Sequence, residues 1–283
     1  MSSLRKCEKC NVEIPSHYGN PLCFPCYLKL EEENTTKVKT EEVKTDMPAD
    51  YTENEEVEEL DLISRCHGRF KGTGFVMPPA QRSIYEFIKE DLVKAVTGHP
   101  QFPKFVWKQK VADVGCGLGI GANILGQEGS FIWGIDKNEE SINFAKQMFG
   151  RNKNGLYYSP QITFDVIDIK TDPREFATFD VVTCIEVIEH FKDIEFLMTF
   201  LKKLGNKKGA PTTYYISTPN RNAWEGTERY NKPLNPHHVR EMTALELFNT
   251  MSKYFSKVEL LSYTGEKVDT DSKITPLVVK ATI

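Results

Sequence analysis

Several groups of residues have the types and spacing to do chemistry. The first is the run Val111-Ala-Asp-Val-Gly-Cys-Gly-Leu-Gly-Ile-Gly121, in which Gly115, Gly117 and Gly119 alternate with Cys116 and Leu118. Glycine lets a chain turn sharply and lets a ligand approach the backbone. A dinucleotide fingerprint counted from Gly115 needs its third glycine at position 120, which is Ile120. Counted from Gly117 it reaches Ala122, which that fingerprint tolerates, so glycine spacing alone leaves a dinucleotide fold open. Two acids bear on the ligand's charge. Asp113 stands two residues before the first glycine, where a carboxylate repels a pyrophosphate and suits a cation. Asp136 ends Gly134-Ile-Asp136, about twenty residues beyond the loop, where an acid can accept hydrogen bonds from both ribose hydroxyls. Together they imply an adenosine with a cationic amino-acid tail.

The second group is Glu186-Val-Ile-Glu189-His190, two carboxylates and an imidazole in five residues. Ser217-Thr-Pro-Asn-Arg221 and Pro233-Leu-Asn-Pro-His-His-Val-Arg-Glu241 follow it. If all three lie beyond strand ends of an open α/β sheet, they converge on one crevice, and His190, His237 and His238 can share a pocket. A neutral histidine there is a candidate general base. The alternative is structural: Glu189 and His190 make hydrogen bonds at a helix start. The last group is Cys7-x2-Cys10-x12-Cys23-x2-Cys26. Two C-x-x-C knuckles offer four thiolates in tetrahedral reach, so a structural zinc ion is expected, stabilising a module of about 30 residues too small to fold on its core alone. A redox role for these cysteines is the competing reading.

Positioning such residues requires elements of regular structure. Apolar runs at Lys110–Val114, Ile132–Ile135, Ile162–Ile167, Phe179–Cys184 and Thr212–Ser217 read as strands, and Glu139–Phe149 and Asp193–Leu204 as helices between them. Phe179–Cys184 is apolar on both faces, as a buried parallel strand must be. The alternation predicts βαβ units. Lys257–Tyr263 and Pro276–Thr282 read as a closing hairpin. The expected fold class is α/β: a doubly wound, Rossmann-like sheet whose last strand runs antiparallel, plus a small N-terminal zinc finger.

In this order and spacing, DVGCGLG, GID, ITFDVID and FDVVTCIEVIEH resemble class I S-adenosylmethionine-dependent methyltransferases, over roughly residues 62–283. The resemblance implies a seven-stranded sheet and S-adenosylmethionine as cofactor. It implies that Asp113 and Gly115, Cys116, Gly117 and Gly119 hold the methionine end and that Asp136 binds the ribose. Asp168 would contact the adenine amino group, or else cap a turn. Ile185 and Glu186 would line the sulfonium. Cys116 and Cys184 read as packing residues rather than nucleophiles. The E-V-I-E-H block is similar to that of ubiquinone-biosynthesis-type O-methyltransferases. It is also similar to small-RNA 3′-terminal 2′-O-methyltransferases, in which such residues hold a divalent metal. The matching set here is Glu186, Glu189, His190 and His238. The S-T-P-N-R and N-P-H-H-V-R-E stretches look more like small-molecule or sugar methyltransferases. The expected activity is therefore O-methylation of a small-molecule or sugar-like acceptor, with His190, His238 and Glu186 as candidate catalytic residues. The alternative is a nucleic-acid or protein acceptor recruited by the finger. A binding module that lost its chemistry is a third reading, and the intact glycines and acids argue against it.

Composition bounds these readings. The 283 residues are 40% hydrophobic and 27% charged, as in ordinary globular proteins. The net charge of −4 divides unevenly: residues 1–30 carry +2, residues 31–61 carry −10, and the rest carries +4. The acidic block buries too little apolar area to order itself and reads as a flexible linker. The expected organisation is thus a zinc-ribbon-like module at 1–30, a linker at 31–61 and the methyltransferase domain at 62–283. The sequence shows no apolar run of the ~18 residues that crossing a membrane takes, and MSSLRKCEKC has no signal-peptide core, so no membrane association is expected. Seven cysteines suit a reducing compartment, and the cytoplasm is the expected location. Arg65–Phe70 and Gly72–Phe75 could form a lid over the cofactor or an ordinary loop.

Overall fold

The computed structural model describes residues 4–6, 13–15, 77–97, 109–127, 130–150, 162–172, 175–205, 211–223, 233 and 235–283. Cys7, Cys10, Cys23 and Cys26, the acidic block at 31–61 and the expected lid at 65–75 lie outside these residues. Near the N-terminus, β1 (Leu4–Lys6) pairs antiparallel with β2 (Glu13–Pro15), Leu4 opposite Pro15. This hairpin and the large sheet belong to different compact units.

The large unit begins with α1 (Pro79–Thr97) and β3 (Lys110–Val114), then α2 (Ile120–Gly126), β4 (Phe131–Asp136), α3 (Glu139–Phe149) and β5 (Ile162–Val166). It continues through β6 (Val181–Ile185), a 3-10 turn at Ile188–His190, α4 (Ile194–Lys203) and β7 (Thr213–Thr218). It ends with α5 (Ala244–Met251), β8 (Lys257–Ser262) and β9 (Leu277–Thr282). The seven strands lie in the order β5-β4-β3-β6-β7-β9-β8. The first five are parallel, and β9 runs antiparallel to both β7 and β8. Each expected strand is present within one or two residues of its expected bounds, and the closing hairpin is as read. The apolar alternation does not anticipate α1.

Side-chain alternation splits the core into two layers, because successive strand residues face opposite ways. Ala112, Val114, Val182, Cys184, Tyr214 and Ile216 pack against Leu197, Met198 and Leu201 of α4 and Leu247 and Met251 of α5. Val111, Ile132, Ile162, Val181, Ile185 and Tyr215 pack on the other face against Ile84 and Ile88 of α1, Ile124 of α2 and Ile142 of α3. Burial on both faces explains why β3 and β6 read as continuous apolar runs. The helices carry local start signals. Asn138 caps α3 by accepting from Ser141 N–H at 2.8 Å, and Asp193 caps α4 by accepting from Phe196 N–H at 2.9 Å. Asp193 is thus the cap rather than the first helical residue.

Candidate active site

The strand order reverses between β3 and β6, since the chain runs outward through β4 and β5 and then returns to the other side of β3. Open α/β sheets bind ligands at the carboxyl ends of the strands at such a switch point. The glycine run and the E-V-I-E-H block leave β3 and β6 at that point.

Gly115, Gly117 and Gly119 all have positive φ, at 72°, 50° and 75°. Side chains rarely adopt this region, so the loop's path selects glycine. Space selects it too. A Cβ on Gly115 would lie 2.5 Å from Val187 Cγ2, and one on Gly119 would lie 2.7 Å from Ala145 Cβ. Gly115 N–H and Cys116 N–H both donate to the Ile135 carbonyl, at 2.8 and 3.0 Å. The Cys116 thiol is buried, and burial raises it well above its ordinary range, so it stays protonated and packs. The same holds for Cys184.

Asp136 ties this loop to β4. Its Oδ2 accepts from Gly117 N–H and its Oδ1 from Asn138 N–H, each at 2.9 Å. Burial raises its carboxyl above the ordinary range, and these two N–H groups oppose the rise. Asp113 is placed differently. It shares the β3 face of Val111, beneath α1, and is fully buried. Its Oδ1 accepts from the Thr183 hydroxyl at 2.7 Å and the Tyr85 hydroxyl at 3.2 Å. Its Oδ2 has no hydrogen-bond partner. Burial pushes its carboxyl up to about 7, and the charge of Asp136 pushes the same way. Asp113 is therefore held on the strand that leads into the glycine loop, between Thr183 of β6 and Tyr85 of α1. Asp168 lies just past β5, where its Oδ1 accepts from Lys170 N–H at 2.9 Å and its carbonyl from Thr171 and Asp172 N–H. Ile185 is buried at the end of β6.

Past β6 the chain makes a turn that a non-glycine residue seldom adopts: Glu186 has φ 57°. Ser217, at the end of β7, holds this turn. Its hydroxyl accepts from Glu186 N–H at 2.9 Å and donates to Glu186 Oε1 at 2.7 Å. Glu189 is buried, and its Oε2 has no hydrogen-bond partner. Burial pushes Glu186 up to about 7, aided by the charge of Glu241; burial and then Glu186 push Glu189 well above its ordinary range. The imidazoles of His190 and His238 meet edge to face at 5.1 Å between centroids. Glu189, His190 and His238 each offer one ligand atom, and these atoms lie within 4.8 Å of one another. His237 contributes its backbone instead: its carbonyl accepts from His190 Nδ1–H at 2.6 Å. The E-V-I-E-H and N-P-H-H stretches, expected to converge, meet here through these contacts.

Residues to which the sequence reading gave no role complete the site. Tyr85 comes from α1 and carries no local signal. Thr183 sits inside an apolar strand, where a lone hydroxyl is the only hint. Ser217, the last residue of the expected fifth strand, and Glu241 lie within stretches expected at the crevice, but neither was given a role. Asn220 and Arg221 are anchors. Asn220 Nδ2 donates to the Ser272 and Ile274 carbonyls at 2.6 and 2.9 Å. Arg221 reaches the Glu241 carbonyl at 3.1 Å and Glu246 Oε1 at 2.6 Å.

The chain is similar to methyltransferases of known sequence and structure. The chain is 34% identical over 113 residues to a ubiquinone biosynthesis O-methyltransferase of Haemophilus ducreyi, covering 40% of this chain and 46% of that protein. It is 29% identical over 153 residues to the enzyme of the same name from Idiomarina loihiensis, covering 48% and 59%. The match thus spans about half the length of these relatives. Among solved structures, the plantazolicin methyltransferase BpumL, in complex with a triazolic desmethylPZN analog and SAH, superposes with a TM-score of 0.52 at 16% identity, over 78% of this chain and 88% of that one. The methyltransferase domain of bacterial CtHen1-C superposes with a TM-score of 0.50 at 22% identity, over 72% and 97%. These likenesses show the fold. Residues 108–273, more than half of the chain, match the family described as a methyltransferase domain, and to that family the chain belongs.

Proposed function

We propose that the chain transfers the methyl group of S-adenosylmethionine to a hydroxyl oxygen of a small-molecule or sugar-like acceptor. The observation that carries this is the three-glycine loop at the switch point, with the Asp136 carboxylate accepting from its Gly117 N–H and the Asp113 carboxylate buried on the strand that leads into it. A buried carboxylate with one unpartnered oxygen, two residues before backbone that favours glycine, suits a cationic nucleoside better than a pyrophosphate. In this reading Gly115, Cys116, Gly117 and Gly119 hold the methionine end through backbone contacts. Asp136 accepts from the ribose, Asp168 from the adenine amino group, and Ile185 and Glu186 border the sulfonium. The ubiquinone-biosynthesis relatives support oxygen as the acceptor atom.

Methyl transfer breaks the S–CH3 bond as the O–CH3 bond forms, and the hydroxyl proton has to leave. The cofactor carries the intrinsic reactivity, so the chain's task is placement and proton removal. Glu186, pushed up to about 7 by burial, and the imidazoles of His190 and His238 are the candidate bases.

The same residues fit a divalent cation. Glu186, Glu189 and Glu241 bring three acids together in a buried region, Glu189 keeps an unpartnered oxygen there, and two imidazoles join them. Glu186, Glu189, His190 and His238 would hold the ion, which when bound orients an acceptor hydroxyl and lowers its pKa. This set also suits the 2′- and 3′-hydroxyls of an RNA terminus, the second acceptor reading.

At the N-terminus, Cys7, Cys10, Cys23 and Cys26 hold a structural zinc ion in this proposal. The two C-x-x-C spacings support it, and the first lies in sequence between the paired strands β1 and β2. The module would dock a nucleic acid or protein partner. Calorimetry with S-adenosylmethionine tests the cofactor claim. Wild type should bind, and Asp136→Ala should lose most of the affinity; retained affinity removes the ribose role. A labelled-methyl screen across metabolite, RNA, DNA and protein pools then identifies the acceptor.

A further inference from the structure

Glu241 lies outside the set of residues that would hold the cation, yet it is buried and turned toward that set. Its Oε1 stands 2.9 Å from Nδ1 of His238, three residues earlier. A carboxylate oxygen accepts, so Nδ1 of the neutral ring carries the hydrogen. A second contact reports the same tautomer independently. Asn235 Oδ1 accepts from His237 N–H at 3.1 Å, which fixes which end of that amide is which. Asn235 Nδ2 then lies 2.8 Å from His238 Nε2, and an amide NH2 only donates. His238 is thus an imidazole with its proton on Nδ1 and its lone pair on Nε2. His190 follows the same rule, since its Nδ1 donates to a carbonyl. Both rings are held with Nε2 as the basic atom.

We propose that Glu241 is a positioning residue that locks His238 as an Nε2 ligand for the divalent cation. This rests on the cation reading above and deepens it. Histidines that bind metals usually donate their other ring N–H to a carboxylate or carbonyl, which sets the tautomer and raises the basicity of the ligating nitrogen. Here His238 has the carboxylate and His190 the carbonyl. The loop that carries Glu241 is itself fixed. Val239 N–H donates to the Glu189 carbonyl at 2.7 Å, and Arg221 donates to the Glu241 carbonyl at 3.1 Å. The carboxylate is therefore presented from backbone tied directly to a first-ligand residue, Glu189. His238 Nε2, which now meets the Asn235 amide, would be the atom available to a cation, with the Glu241 contact on Nδ1 leaving it so.

The test uses the full chain with its zinc retained and Mn2+ as the probe, because Mn2+ prefers oxygen and imidazole to thiolate. Glu241→Ala should weaken Mn2+ binding by about 10–100-fold. Glu241→Gln, which keeps an acceptor for Nδ1–H, should recover most of that loss. Affinity for S-adenosylhomocysteine should be unchanged in both. Wild-type Mn2+ affinity in Glu241→Ala overturns the positioning role alone. A wild type that takes up no Mn2+ overturns the cation reading, and the positioning role with it. Long-range 1H–15N correlation on the metal-free wild type decides the matter even if the alanine variant does not fold: a neutral His238 protonated on Nε2 overturns the proposal, and one protonated on Nδ1 supports it.

Discussion

Asp113 combines complete burial, two hydroxyl donors on one oxygen and none on the other. Its carboxyl sits at about 7 in the folded chain, against an ordinary 3.8. A raised acid stabilises the fold below the unfolded value and loses that contribution as pH rises through the folded value. The ligand-free protein should therefore lose stability between about pH 4 and pH 7, by up to about 1.4 kcal/mol per pH unit. Thermal melts across that range check this; Asp113→Asn should flatten the slope, and an unchanged slope refutes the assignment. A cationic cofactor opposes the effect, so its binding near pH 6 should release a proton, measurable by calorimetry in buffers of different ionisation enthalpy. Gly115 is constrained from two sides, by φ and by Val187. Gly115→Ala should cost roughly 1–2 kcal/mol from backbone strain alone, plus the displacement of Val187. Adding Val187→Ala should return only the steric part. The glycines and acids were legible in the sequence because their meaning is local: a tight turn and a charge at a strand end. The roles of Tyr85 and Thr183 were not, because they meet Asp113 across 28 and 70 residues of chain.

Helices and strands position these residues through local signals that can be tested singly. The start of α5 is a reciprocal pair. Thr243 Oγ1 accepts from Glu246 N–H at 3.1 Å and Glu246 Oε2 accepts from Thr243 N–H at 2.9 Å. Arg221 joins it through Glu246, so this cap connects the S-T-P-N-R stretch to the helix. Thr243→Ala should lower stability by about 1 kcal/mol, and Thr243→Ser by much less, as read by denaturant midpoint. Loss of activity well beyond that stability change would show that the cap also sets the Glu241 loop. At this scale the strands were legible because burial on both faces produces continuous apolar runs. The helix α1 was not, although it covers one sheet face and delivers Tyr85, because its stripe of Ile84, Ile88 and Leu92 is diluted by charged residues at every turn.

At the scale of the whole molecule, a mildly basic methyltransferase-family unit follows a strongly acidic segment and a cysteine-bearing N-terminus. If the N-terminal module docks a partner and leaves chemistry to the sheet, deleting residues 1–61 should leave cofactor affinity and turnover on a small hydroxyl acceptor unchanged. A fall in that turnover would move acceptor recognition into the module. If Cys7, Cys10, Cys23 and Cys26 hold zinc as proposed, stripping it with a chelator should likewise spare cofactor affinity. Among the described residues, no helix is long and apolar enough to cross a membrane. What could be settled from residue order alone was the α/β class, the glycine loop, the acids beside it and the pairing of acids with histidines past β6. Each of these depends on neighbours a few positions away, through strand alternation and turn geometry. Only the tertiary structure decided that Asp113 is fully buried against Thr183 and Tyr85. It alone decided that Ser217 holds the Glu186 turn, and that Glu241 selects the lone pair His238 presents. Those assignments follow from strand order and loop convergence, which bring distant residues together at the one edge where the sheet reverses direction.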